Sequence, residues 1–437
     1  MWATPKKHLS FNSLRDIISD SVNQIQDNRE AHKIQYSIHD ACLGTLAMMH
    51  FQHPSLNSFK HIINASSIHF NNLQTLFQIE SLPQATQMRE ILDNVAPEYL
   101  EAILPELFKP LQRGKFLESF KFLNDSYLVS IDGTEYYSSK CISCDHCLHR
   151  TSKQGITTYY HQLLPATLVC PGVRQVIPLA IESVQNNPDD GNDVQDCEFK
   201  AAGRLVQKLR SDHPKLKMII LGDGLYSKQP FIDLLKSLDF SFILVAKPGD
   251  HATLFQAIAD LNQLGGISRR EYQDHQNGFT HRFEWVNDVL LNESKNADFI
   301  NFIEYTILDG EKVEYHNTWV TDIKVTHSNV IALARGGRAR WKIENLAFNT
   351  LKNQGYHLEH SFGHGSNHLA YNMAILNFLA FFIWQILELT DYLYSNVAHF
   401  FSSRMEYRCH LRCALFFLPF LSFNSLLLFF RGLLDSS

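Results

Sequence analysis

The sequence predicts a mixed α/β protein in which helices precede a sheet, and three observations carry that expectation. Apolar residues recur at helical spacing through the first 125 residues. From Ser126 the pattern changes to runs rich in β-branched and aromatic side chains. Two of those runs stop abruptly, at Asp132-Gly133 and at Gly222-Asp223-Gly224, as strands do where they open into turns. With 437 residues and 45% hydrophobic content, the chain can bury a large core divided into two or three domains. A formal net charge of −6 excludes a protein that coats nucleic acid by bulk charge, while leaving room for a local basic surface.

In the helical region, residues 1–125, Leu14, Ile17, Ile18, Val22 and Ile25 share one face, as do Leu43, Leu46, Ala47 and Phe51. Asn71, Ser81 and Pro83 mark helix starts and turns. Lys60, His61 and Arg89 are its weak candidates for phosphate contacts. A core over 126–248 begins with the strand YLVSI, where Tyr127, Val129 and Ile131 alternate with Leu128 and Ser130. TTYYHQLLPATLV and QVIPLAIESV are expected to pair with it as antiparallel neighbours. DCEFKAAGRLVQKLRSDH reads as a helix with Asp196 at its cap, followed by the buried strand that ends at Asp223. QPFIDLLKSLD is a helix and FILVAK another strand.

Residues 249–325 read as a β-rich insertion whose hairpins turn at Asn277-Gly278 and Asp309-Gly310. The core resumes over 326–390. Helical spacing there puts Ile343, Ala347 and Leu351 on one face and Arg340 one turn before Glu344. Residues 371–390 reach the length of a membrane span, but Asn372, Asn377, Gln385 and Glu388 recur along them, which fits a buried helix packed on the sheet. The apolar tail, 391–437, suits either a cover for the core or a partner surface.

Two strand-end aspartates and a helical glutamate form an all-oxygen set suited to Mg²⁺ or Mn²⁺, because hard cations prefer carboxylate ligands and keep open positions for a phosphate. Around Glu344 stand Arg335, Arg338, Arg340, Lys342 and Lys352, the clearest basic cluster near these carboxylates. Most of the eight cysteines are scattered and no apolar secretory core opens the chain, so a reduced cytoplasmic compartment is expected. Cys141, Cys144 and Cys147 recur every third residue with His146 and His149 beside them. They are either Zn²⁺ ligands, with His149 as the fourth, or a reduced, partly exposed loop.

IDGTEYYSS, GDGLYSKQPFIDLLK, FILVAKPGDH and RWKIENLAFNTLKNQGYHLEHSFGHG resemble conserved blocks of bacterial insertion-sequence transposases of the DDE type, over a span from about Asn71 to Tyr371. The resemblance implies a ribonuclease H-like mixed sheet with flanking helices and a β-rich insertion before the catalytic Glu. In that fold the first and fourth core strands lie side by side, which would bring Asp132 and Asp223 together. It further implies a triad of Asp132, Asp223 and Glu344 holding two Mg²⁺ or Mn²⁺ ions, and Arg340 as a contact to transposon-end DNA. The helical N-terminal domain would bind the terminal repeats, and a homodimer would act on double-stranded DNA away from any membrane, close to the nucleoid. Two positions depart from the family's signature: Gly337 stands where a Tyr is expected, and Leu351 where a Lys is, with Lys352 one residue late. Trp285 and Trp319, in the insertion, are either the Trp that some relatives insert into DNA or core residues. Alternative readings are a ribonuclease H-like nuclease or decayed transposase that binds DNA without moving it, and a zinc-dependent DNA-binding regulator.

Overall fold

A computed structural model describes residues 8–186, 195–294 and 297–435. Seven helices come first: α1 (Phe11–Val22), α2 (Ile38–His50), α3 (Leu56–Ala65), α4 (Ser67–Phe77), α5 (Ala85–Asp93), α6 (Pro97–Glu101) and α7 (Ile103–Arg113). Serines start four of them, since the hydroxyls of Ser10, Ser37, Ser55 and Ser66 accept the first free backbone N–H groups. Asn71, expected at a helix start, therefore lies inside α4, because Ser66 caps that helix five residues earlier.

The strands β1 (Tyr127–Ile131), β2 (Thr134–Ser139), β3 (Leu148–Thr151), β4 (Thr157–Val169) and β5 (Ile177–Val184) follow. Then come α8 (Glu198–Asp212), β6 (Met218–Gly222), α9 (Gln229–Ser237), β7 (Ser241–Val245), α10 (Ala252–Gln263) and β8 (Ser268–Gln273), β9 (Thr280–Leu290), β10 (Phe299–Asp309) and β11 (Lys312–Thr321). Among the described residues all eleven strands join one sheet, in the order β2-β4-β1-β6-β7-β11-β10-β9-β8, with β3 and β5 on the other edge of β4. β4 is antiparallel to both β1 and β5, and β1, β6 and β7 run parallel. The three antiparallel strands expected from the sequence are β1, β4 and β5. The short strands β2 and β3 were not legible, because they are brief and interrupted by the cysteine loop.

Both expected hairpins form, with Gly278 and Gly310 at positive φ in their turns. They continue the same sheet, since β11 pairs with β7 through Trp319↔Val245 and its neighbours. Trp319 is fully buried and Trp285 is 6% exposed, so both are core residues. Asp196 does not cap α8. Its carboxylate is taken by Arg204 at 2.8 Å and by the Gln185 N–H.

After the insertion come α11 (Val330–Arg338), a π-helical stretch (Ile343–Phe348), α12 (Asn349–Asn353), α13 (Leu369–Thr390), α14 (Tyr392–Ala398), α15 (Arg404–Phe417) and α16 (Phe423–Asp435). α13 is long and apolar enough to cross a membrane, and 83% of its most apolar window is buried inside the protein. Its polar residues are used internally. Asn372 donates to the Leu92 and Val95 carbonyls, Asn377 to that of Tyr356, and Gln385 accepts from the Val176 N–H. Trp384, stacked on His50 at 4.2 Å, donates to the His50 carbonyl. α13 thus packs N-terminal helices and sheet into one hydrophobic cluster. The apolar tail covers the N-terminal helices. Asn72 of α4 donates to the Leu415 and Leu418 carbonyls and accepts from the Phe420 N–H, and Phe423 stacks on Phe11 at 4.5 Å.

Candidate functional site

β1 is buried on both faces, so its five residues fix where the chain emerges, and the first residue beyond it is Asp132. β6 is likewise fully buried and emerges at Asp223. The parallel register pairs Ser130 with Leu221, so each aspartate lies two residues past a paired position. At the usual strand spacing of about 4.8 Å, that register puts the two residues side by side at the same end of their strands. Asp223 closes its turn by accepting the Leu225 N–H at 2.8 Å, which leaves its second oxygen outside that turn.

Glu344 comes from the opposite direction. α11 loosens at Ala339, and the π-helical stretch over Ile343–Phe348 carries Glu344 while Ile343, Ala347 and Leu351 point into the core, all fully buried. Single π turns inside helices often accompany functional sites, since the extra residue re-aims a side chain. The expected one-turn pair forms: Arg340 binds Glu344 at 2.7 Å with one nitrogen and Asp132 at 2.9 Å with another. Arg340 therefore bridges two carboxylates rather than facing solvent. Burial works against its charge, but Asp132, Glu344 and Asp223 more than offset that and hold it cationic.

A fourth carboxylate, which sequence reasoning missed, lies close to Asp132. Glu198 opens α8, accepting from the Tyr226 hydroxyl at 2.5 Å and from the Gln162 amide at 2.5 Å. Gly133 leaves the space that this carboxylate and the Gln162 amide occupy. A Cβ there would lie 2.2 Å from a Glu198 oxygen and 2.3 Å from the Gln162 amide nitrogen. The one available signal was a Glu in the first turn of a predicted helix, which occurs on many surface helices. The Asp132 carboxyl is raised to about 7, first by burial and then by Glu344 and Glu198, with Arg340 pulling the other way. Three acids act on Arg340 and a fourth, Glu198, acts on Asp132, which leaves a surplus of negative charge, and all the donors are oxygen. The residues present therefore fit a hard divalent cation.

The basic residues divide. Arg335 and Arg338 are exposed on α11, and Arg338 lies over the Tyr315 ring at 4.6 Å. Lys352 is paired with Glu359 at 2.8 Å. Lys342 corrects the expectation of a DNA contact, since it is 6% exposed and donates to the Val173 carbonyl at 2.7 Å. Lys60 and Arg89 are also spent internally, on the Leu82 and Phe362 carbonyls, whereas His61 is exposed.

The cysteine loop gathers a different set from the one expected. Cys141 is exposed and outside it, and the His149 side chain is outside it as well. Cys144 and Cys147 instead meet His161 of β4 and His364, which lies between α12 and α13, with all four ligating atoms within 4.8 Å of one another. The two histidines belong to distant segments whose approach is decided by the sheet, so no local spacing announces them. The Cys144 thiol is held well below its ordinary value by its contact with Cys147 and then by His161 and His364.

No family model matches the chain, and no curated protein matches it. Among solved structures, the chain is similar to one in a cryo-EM structure of the piggyBac transposase synaptic complex with hairpin DNA. The similarity covers 98% of this chain and 80% of that one, at 11% sequence identity and a TM-score of 0.42.

Proposed function

We propose that the protein is a DNA transposase of the DDE type that cuts at the ends of its own element and joins them to target DNA. The observation that carries this reading is the convergence of Asp132, Asp223 and Glu344, from two adjacent parallel strands and one re-aimed helix, around Arg340. The strand order supports it, since β1 lies between β4 and β6 as a ribonuclease H-like core would require.

Asp132, Asp223 and Glu344 would hold two Mg²⁺ or Mn²⁺ ions. Such ions, when bound, activate the attacking oxygen and stabilise the leaving oxygen of an in-line phosphoryl transfer. The chain's own residues do the rest. Arg340 ties Asp132 and Glu344 to one guanidinium, which restrains both side chains before any ligand arrives. Glu198 keeps negative potential on Asp132 without facing outward, because Tyr226 and Gln162 fasten it. Arg335 and Arg338, exposed on the helix that leads to Glu344, suit the phosphates flanking the cut, and the N-terminal helices the terminal repeats. A homodimer would bring the two element ends together.

The test is cleavage of DNA carrying the sequences that flank the reading frame, with Mg²⁺ or Mn²⁺, wild type beside Glu344→Ala. Metal-dependent nicking at the ends that the variant loses is expected. End binding without cutting would instead favour a decayed transposase or a regulator.

Two further outcomes follow from the electrostatics. Below about pH 7 Asp132 holds a proton that must leave before it can ligate, so Mn²⁺ affinity should climb with pH and level off above about 7. The climb is at most about tenfold per pH unit for one proton released. Calorimetric titrations at several pH values would show it, and a flat profile from pH 5 to 8 would contradict the raised carboxyl. Glu198→Gln keeps an acceptor for Tyr226 but removes a charge. It should move the midpoint of that profile to lower pH by less than about one unit, with cutting retained at saturating Mn²⁺. Complete loss of cutting would instead make Glu198 a ligand.

A further inference from the structure

We infer that Cys144, Cys147, His161 and His364 form a closed, four-coordinate site for a structural zinc ion. Zinc bonds of about 2.3 Å to sulfur and 2.0–2.1 Å to nitrogen, at tetrahedral angles, require separations of about 3.8 Å between sulfurs, 3.5 Å from sulfur to nitrogen and 3.3 Å between nitrogens. The sulfurs of Cys144 and Cys147 are 3.8 Å apart, and the two imidazole Nε2 atoms 3.1 Å. The sulfur-to-nitrogen distances are 3.7 Å for Cys144 to His161, 3.4 Å for Cys147 to His161 and 3.3 Å for Cys147 to His364. Five of the six separations thus lie near the tetrahedral values, and the sixth, from Cys144 to His364, is within 4.8 Å. Four protein ligands leave no position for a substrate, as in structural rather than catalytic zinc sites. The donor set separates this site from the carboxylates, since thiolate and imidazole select zinc where carboxylates select Mg²⁺ or Mn²⁺.

The surrounding backbone is built to present these atoms. Cys144 and Cys147 bracket a turn in which the Cys147 N–H donates to the Cys144 carbonyl at 3.1 Å. His364 stands between Gly363 and Gly365, at φ +147° and +71°, a conformation that side chains resist. A Cβ at Gly365 would lie 2.2 Å from an Asp93 oxygen. That carboxylate accepts four successive N–H groups, from Ser366 to Leu369, and Arg89 holds the Phe362 carbonyl at 2.6 Å, so the loop is tied on both sides of the histidine. His364 Nδ1 lies 2.9 Å from the Gly365 carbonyl, which fixes that nitrogen as the donor and turns the Nε2 lone pair toward the cysteines.

The ion would fasten the loop between β2 and β3, and β4 itself, to the segment that follows the Glu344 helix, joining residues 217 positions apart in the case of Cys147 and His364. The assignment does not depend on the DNA-cutting reading. Elemental analysis of the full-length chain, purified without chelator, should find one zinc ion per chain. His364→Ala and Cys147→Ser should reduce it to nearly none, while Cys141→Ser and His149→Ala keep it at one. Because a ligand variant can fail to fold, wild-type protein is also exchanged with Co²⁺. The intense visible bands of tetrahedral cobalt, with a thiolate-to-cobalt charge-transfer band, are expected. A wild-type chain that holds little zinc and develops no such spectrum would overturn the site. Loss of zinc from the Cys141 or His149 variants, with His364→Ala unaffected, would overturn the ligand set.

Discussion

Asp132→Asn should abolish metal-dependent DNA cutting while leaving the unliganded protein as stable as wild type or more so at neutral pH. The loss expected is at least about 10³-fold, the scale seen when one electrostatic stabiliser of a reacting centre is removed. The stability half follows from the sign of the pKa shift. The folded protein raises this carboxyl from 3.8 to about 7, so folding favours the protonated form. That contribution is fully present below pH 3.8 and is lost as pH rises to about 7, because the ionised group must then be kept among Glu344 and Glu198. Asparagine never ionises and escapes this loss. The unfolding free energy of the variant should therefore gain on that of wild type between pH 4 and 7, by about 4 kcal/mol at most, with its melting temperature rising in step, and Mn²⁺ should stabilise wild type but not the variant. Cutting at the wild-type rate would remove Asp132 from the site. A stability gap that shrinks with rising pH would show that Arg340 outweighs the acids.

Gly337→Tyr, which restores the residue found in the resembling family, should destabilise the protein by at least about 3 kcal/mol, at the top of the range for overpacked cores. A Cβ at this position would meet Trp319 at 2.7 Å from Nε1 and 2.8 Å from Cε2, and Ile243 at 3.1 Å. Trp319 is fully buried on β11, where it pairs with Val245, so it has nowhere to retreat. Gly337→Ala should cost about 1–3 kcal/mol for the same reason, despite alanine's better helix propensity. Adding Trp319→Ala to Gly337→Tyr should recover part of the loss, with a coupling of at least about 1 kcal/mol in a double-mutant cycle followed by denaturant unfolding. Strictly additive effects would mean that the two side chains do not compete for one space. At position 337 the buried indole of Trp319 thus occupies the room a larger side chain would need.

Local chemistry alone marked the ends of β1 and β6, because an apolar run that stops at Asp-Gly needs no partner to be read. The two hairpin turns were as plain, since Asn-Gly and Asp-Gly supply the backbone angles such turns demand. The Arg340–Glu344 pair was fixed by helical spacing, and the buried face of Ile343, Ala347 and Leu351 by the same period. What the tertiary structure decided lies across long separations. His161 and His364 join the cysteines only because β4 and the loop before α13 converge, which displaces Cys141 and His149 as ligands. Glu198 reaches the aspartates because α8 packs on β4 and β5, and Lys342 is lost to DNA because its helix turns it inward against Val173. Composition left the apolar tail open between two uses; Asn72, a polar residue hidden in α4, ties the tail's backbone to the N-terminal helices, while Phe417 and Leu421 stay exposed. A sequence states what each segment prefers by itself. Which segments meet depends on the summed burial of the whole chain, which no single window contains.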